Sequence, residues 1–231
     1  VINLLPPRTG ERVSRRRSAR QRKQKGILSM SKGMIGCGVA LLVLIVILGA
    51  AFMWFVGVRN GLVESEESVK AQWSQVENVY QRRLDLIPNL VATVKGYAEH
   101  EQETFTAVTE ARSKASSIQV DPEKLMGNPA ALAQFQSAQD GLGAALGRLM
   151  VVVEKYPDLK ANQNFLDLQV QLEGTENRIT QERRRFNELA QSYNTTIRKF
   201  PASVVASMSG FGQIAYFEAV AGADQAPEVQ F

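Results

Sequence analysis

One cysteine, Cys37, and one histidine, His100, occur in the 231 residues. A single thiol excludes an internal disulfide and any thiolate metal cluster. A single imidazole excludes the two Glu-x-x-His pairs that paired-metal carboxylate sites in helical bundles need; His100 lies in Glu99-His100-Glu101 and reads as a surface residue. No nucleophile-elbow serine, phosphate loop or histidine-based triad is present. Gly141-Leu-Gly143-Ala-Ala-Leu-Gly147 misses the dinucleotide fingerprint by one residue and follows no strand. No stretch alternates as a half-buried strand does. The chain reads as non-enzymatic, with no cofactor and no metal.

Charge is also missing, completely, between Lys32 and Arg59. The interval contains Val39-Ala-Leu-Leu-Val-Leu-Ile-Val-Ile-Leu48. A helix of about 25 residues rises roughly 38 Å, enough to cross a hydrocarbon core of about 30 Å. Only a helix satisfies its own backbone there. Met34 to Val58 is therefore read as a single transmembrane span, with Trp54 and Phe55 at the headgroup level. Met34-Ile-Gly-Cys37 has the look of a lipoprotein box, but such a box closes an apolar run and Cys37 opens one. Cys37 is an apolar wall residue of the span.

Residues 1–32 hold ten of the 27 basic residues and one of the 23 acidic ones, a net of +9. The remainder carries 17 against 22, a net of −5. The isoelectric point near 9.3 thus belongs to the head, which has little to bury and should be disordered. Basic residues beside a span stay cytoplasmic, which places the head inside and the remainder outside. Were residues 1–29 absent from the natural product, only Lys32 would face Arg59 and this signal would vanish. The head suits anionic lipid; without interleaved aromatics, specific nucleic-acid binding is not expected.

Past the span everything reads as helix. Asn60-Gly61 is either a hinge or a point through which one helix continues. Helix A, about 62–116, carries the stripe Val69, Trp73, Val76, Tyr80, Leu84, Ile87, Val91, Val94, Ala98, Phe105 and Val108 in steps of four and three. Pro88 should kink it and free the Leu84 carbonyl, for which Asn89 is the near donor. Residues 117–127 form a loop. Helix B, 129–156, starts at an Asn128 cap and aligns Leu132, Phe135, Gln139, Leu142, Leu146, Leu149, Val153 and Tyr156. Gly141, Gly143 and Gly147 weaken it, which close approach by a neighbouring helix would offset. Helix C, 158–200, repeats Phe165, Leu172, Ile179, Phe186, Tyr193 and Phe200 every seven residues. Its companion positions Gln169, Glu176 and Arg183 are polar, and charge in a seam must be paired. Arg82, Arg83 and Asp85 of helix A are the matching set. The tail 201–231 is apolar enough to pack back on the bundle; Val229-Gln230-Phe231 could alternatively serve as a carboxylate ligand. The fold class is all-α: a transmembrane helix, then an up-and-down antiparallel bundle of three long helices and a fourth element from the tail or from the kinked half of helix A.

Two stretches resemble one known family. Trp73-Ser-Gln-Val-Glu-Asn-Val-Tyr-Gln-Arg-Arg-Leu-Asp-Leu-Ile-Pro-Asn-Leu-Val91, through Thr93-Val-Lys-Gly-Tyr97, resembles the LemA signature. Leu172-Glu-Gly-Thr-Glu-Asn-Arg-Ile179 with Arg183-Arg-Arg-Phe-Asn187 resembles its second block, and Gly210-Phe-Gly, Tyr216-Phe217 and Pro227-Glu-Val-Gln-Phe231 are similar to family endings. The resemblance covers roughly residues 55–231. It implies a membrane-anchored bacterial protein with a four-helix, bromodomain-like bundle, in a family that includes a magnetosome-membrane relative and whose molecular activity is not established. It also implies a short outward N-terminus, against which this long basic head argues.

These readings converge on one candidate site: Trp73, Arg82, Arg83, Asp85, Pro88 and Asn89 from helix A with Glu173, Glu176, Asn177, Arg178 and Arg183 from helix C. They form either a structural polar layer fixing helix register or a partner-binding surface. The expected function is a non-catalytic scaffold at the bacterial cytoplasmic membrane, working through membrane lipid, a protein partner or a homo-oligomer. The rival is a non-catalytic sensor or accessory subunit that binds a small molecule or envelope component.

Overall fold

A computed structural model describes residues 32–118 and 122–218. The basic head, Asp121 and the terminal Val229-Gln230-Phe231 lie outside the described residues. The chain divides into two compact units between Val56 and Gly57.

Helix α1, Lys32–Lys95, supplies all the described structure of the first unit and opens the second. Its apolar part is the one described helix long and apolar enough to cross a membrane. A window of 18 residues has mean hydropathy 2.9, and none of it is buried. Val39, Leu42, Ile45 and Phe52 are all exposed. Side chains so apolar, with none of the described residues burying them, suit an apolar solvent.

The second unit is an up-and-down helical bundle. After α1 come α2 (Gln102–Ser117), α3 (Pro122–Met126), α4 (Pro129–Val153), α5 (Pro157–Lys160), α6 (Gln163–Arg198) and α7 (Ala202–Ser209). Residue pairings give the directions. Trp73, Tyr80 and Arg83 of α1 meet Phe135 and Gln139 of α4 in ascending order. Gln72 and Arg83 meet Glu182 and Glu176 of α6 in descending order. The core runs the length of the bundle, from Leu62 and Val69 to Val94, Phe105, Val153 and Leu159.

Several boundaries differ from the periodicity. No hinge opens at Asn60-Gly61, where α1 is continuous. Helix A is two helices. Its break falls after Lys95, not at Pro88, which sits within α1. At Gly96 the bonds tighten: Tyr97 N donates to Val94 O at 3.1 Å and Ala98 N to the same oxygen at 3.0 Å. Ala98 and Phe105 are buried on either side of the turn, so the apolar stripe survives a break in the helix. α2 is therefore the fourth bundle helix. The expected loop holds the single turn α3. Helix C starts later, at Gln163, where the Asn162 side chain accepts from Phe165 N at 3.1 Å. It ends at Arg198, so Phe200 leaves the seam and is 83% exposed. Asn128 does cap α4, accepting from Ala130 N and Ala131 N at 3.0 and 3.3 Å.

The glycines of α4 correct another expectation. A Cβ added at Gly141, Gly143 or Gly147 would meet nothing within 4 Å, so no described helix approaches there. Gly147→Ala should then raise the unfolding free energy by about 0.5–1 kcal/mol through helix propensity alone. Urea unfolding checks this, and a loss would mean that some atom approaches the glycine closely.

Candidate functional site

Arg83 is the centre of the polar layer. It lies on the α1 face that also carries Tyr80, Leu84 and Ile87, and that face turns inward, so the guanidinium is buried. It finds three acceptors. Nη1 donates to Glu176 Oε1 and Oε2 at 3.0 and 3.3 Å. Nη2 donates to Gln139 O at 3.2 Å and, in a shorter contact, to Gln139 Oε1. The Tyr80 ring lies 5.2 Å from the guanidinium carbon. Nε has no partner. The pair is lopsided, because the Arg83 side chain is 5% exposed and that of Glu176 44%. One end of the ion pair is dry and the other reaches water.

Of the residues expected here, the structure brings together Arg83 and Glu176 alone. Arg82, Asp85, Asn89, Glu173, Asn177 and Arg178 are exposed. Asp85 accepts from Gln81 one turn away, and Glu173 from Gln169. Arg183 has a different task, described below. Gln139, expected only in the α4 stripe, completes the layer; an amide inside an otherwise apolar seam is its signal. A second inter-helix contact, Gln72 Nε2 to Glu182 Oε2 at 2.5 Å, links α1 to α6 two to three turns away.

Pro88 leaves the Leu84 carbonyl without its helical donor. Arg112 of α2 supplies one instead, Nε to O at 2.9 Å. Asn89 does not, because its side chain faces solvent. Arg112→Met should cost about 1 kcal/mol or more, and less in a Pro88→Ala background, where residue 88 regains the N–H. A double-mutant cycle by chemical unfolding measures the difference, and equal costs in both backgrounds would refute the exchange.

Trp73 is fully buried among aromatic rings. Phe135 and Phe186 meet it edge-on at 5.7 and 5.5 Å, and Phe217 stacks on it at 5.7 Å and 7°. Phe217 comes from the segment after α7. Gly210, with φ +79°, caps α7 in the left-handed region and turns the chain back. Residues 213–218 then run extended along the bundle, held by three side-chain amides. Asn194 exchanges a reciprocal pair with Ile214, 2.7 and 2.9 Å. Asn187 does so with Phe217, both 2.9 Å. Gln136 does so with Glu218, 2.8 and 3.2 Å. Arg183 donates to Glu218 O at 2.9 Å, with its guanidinium 4.8 Å from the Phe217 ring. The expectation that the tail packs back thus has a mechanism. A primary amide presents one donor and one acceptor side by side and reads a backbone as a neighbouring strand would.

Burial pushes the Tyr193 hydroxyl up to about 12, with Glu66 adding to the rise and Lys70 opposing it. Burial likewise raises Tyr80, against the pull of Arg183 and Arg83. A raised folded-state pKa gives a stabilisation that is complete below the ordinary value of 10.0 and disappears as pH climbs to about 12. The melting temperature should therefore drop across that window, and Tyr193→Phe should flatten part of the drop. An unchanged slope would remove Tyr193 from the account.

Two depressions flank the site. One, about 350 Å³, lies between the start of α4 and residues 213–218, with Gln136 and Tyr216 in its wall. The other, about 520 Å³, lies between α4 and α6, with Gly143, Gly147, Met150 and Leu172 beside Glu173, Glu176 and Asn177. Glu173 and Asn177, exposed members of the expected α6 set, thus share one surface depression with Gly143 and Gly147, whereas Arg178 lies outside it.

Residues 72–231 match the model of the LemA family. The magnetosome protein MamQ of Magnetospirillum gryphiswaldense is 32% identical over 173 residues, covering 68% of this chain and 64% of the relative. Magnetosome protein MamQ 2 of Paramagnetospirillum magneticum is 30% identical over 195 residues, covering 78% and 72%. Protein LemA of Metamycoplasma hominis is 27% identical over 179 residues, covering 78% and 77%. The chain thus spans under two thirds of the length of the first of these, 64%.

Proposed function

This chain belongs to the LemA family, and on that premise we propose that it is a single-pass scaffold of the bacterial cytoplasmic membrane, its bundle acting by contact with proteins. The observation that carries the reading is the surface between α4 and α6. Val151, one turn on from Gly147, is 64% exposed, and Val170, one turn before Glu173, is 68% exposed. Together with the open glycines they offer an apolar strip with room for a helix of a partner or of a second copy. The Arg83 Nη groups and the side-chain amides of Gln136, Gln139 and Asn194 are engaged in holding helices and tail, which supports a non-catalytic role. The basic head supports a cytoplasmic N-terminus and an external bundle.

A photo-crosslinking residue at Val151 or Val170, in intact membranes, should trap a discrete protein adduct. Recovery of monomer alone from both positions would overturn the scaffold. The depression beside Glu173, Glu176 and Asn177 favours a second reading, a sensor that binds a small molecule there. That reading expects Glu173→Ala with Asn177→Ala to abolish ligand-induced protection against heat while leaving crosslinks intact.

A further inference from the structure

The end of the bundle where the chain enters from the span carries its own apolar surface. Direction along α6 fixes the level. Glu176 meets Arg83 and Glu182 meets Gln72, while Tyr193 senses the charges of Glu66 and Lys70. By that progression Arg198 and the following α7 lie level with Leu62 or beyond it. Leu62 stands three residues after Arg59, the first charge beyond the apolar run.

At this level α7 buries one face and leaves the other bare. Val205 and Ala206 are buried against the bundle, at 1% and 2% exposure. Val204 and Met208, one turn apart, are 50% and 73% exposed, and Phe200, four residues before Val204, is 83% exposed. Two large apolar side chains on one short helix and a third just before it, open to water, are costly for a free surface. The charge beside them has one sign. Arg198 and Lys199 directly precede Phe200, and no acidic residue occurs from Leu189 to Phe217. The acidic residues at this height, Glu64, Glu66 and Glu67, are on α1. An apolar face edged by basic side chains is the pattern of a helix lying in a membrane interface.

We propose that α7 rests on the bilayer, with Phe200, Val204 and Met208 in the interfacial layer and Arg198 and Lys199 against anionic headgroups. The proposal rests on the span crossing the membrane, and it adds a second point of contact. A bundle attached at two points has its membrane-facing end defined, where a single helix would leave it free to tilt.

The test uses the full chain in vesicles of phosphatidylcholine and phosphatidylglycerol, with Cys37→Ser as background. Nitroxide labels are placed through Leu44→Cys in the span, Val204→Cys and Met208→Cys in α7, and Val170→Cys on the bundle side. Collision with oxygen, which partitions into lipid, is compared with collision with a water-soluble nickel chelate. The expected result is a severalfold excess of oxygen over nickel at 44, 204 and 208, and the reverse at 170. Replacing Arg198 and Lys199 by Gln should shrink the excess at 208, and so should vesicles of phosphatidylcholine alone. Labels at 204 and 208 that behave like 170, while 44 reports lipid, would overturn the proposal and spare the membrane span. A water-like label at 44 would overturn both. Labels at 204 and 208 shielded from both reagents would assign the face to protein and overturn the lipid contact.

Discussion

Arg83→Ala is expected to lower the unfolding free energy of the bundle by about 3 kcal/mol, whereas Glu176→Gln should cost about 1 kcal/mol or less. The asymmetry follows from burial. Arg83 is almost wholly inside, so its loss opens a void and strands the Gln139 amide oxygen in a dry seam. Glu176 is 44% exposed, so glutamine can still accept from Nη1 and water compensates for the missing charge. Arg83→Lys should fall nearer to alanine than to wild type, because one ammonium cannot serve Glu176 and Gln139 at their two separate angles. Chemical unfolding of the three variants gives the order directly. Equal costs for Arg83→Ala and Glu176→Gln would mean that the pair acts as a symmetrical surface ion pair, contrary to its geometry.

Trp73→Ala should be the most damaging substitution, at about 4–5 kcal/mol, with Phe217→Ala following at about 3 kcal/mol. Trp73 is the largest fully buried side chain and touches rings from α4, α6 and the extended tail. No other side chain can fill that volume without moving a helix. The two costs should not add. Phe217 stacks on the indole, so once either ring is gone the other has already lost its partner, and the double variant should fall short of the sum by about 1 kcal/mol. A strictly additive pair would show that the tail packs independently of Trp73. Hydrogen exchange at Ile214 and Phe217 offers a second reading, since Trp73→Ala should release both amides.

The architecture was readable where a physical requirement acts on many residues at once. The span announces itself because a hydrocarbon solvent tolerates no charge over its full width. The stripes of α1, α4 and α6 do so because each turn must present something apolar. Single events were harder. The α1–α2 break leaves no mark on the hydrophobic period, since Ala98 and Phe105 keep their places on either side, and α2 begins at Glu101 without a side-chain cap. The seam charge on α6 pointed to Arg83, because a buried charge must have a partner. It could not separate Arg83 from Arg82, adjacent in sequence, of which the first is buried and the second exposed. No stripe or motif marks Asn187, Asn194 and Gln136 as tail-holding amides. Their role depends on where a tail 20 to 82 residues distant comes to lie, and no local pattern records that. Gly141, Gly143 and Gly147 stand out for their helix cost, but no close approach that would offset it is found among the described residues.

The amide-held tail has a consequence for biosynthesis. Residues 214–218 leave the ribosome after every described helix of the bundle, yet they deliver the ring that closes over Trp73. Until then the nascent bundle has its helices but not its lid, and Asn187, Asn194 and Gln136 are unmatched. Premature termination before Ile214 should therefore yield a lidless bundle that is degraded, which makes the codons for 214–218 a checkpoint on whether translation got past the last described helix.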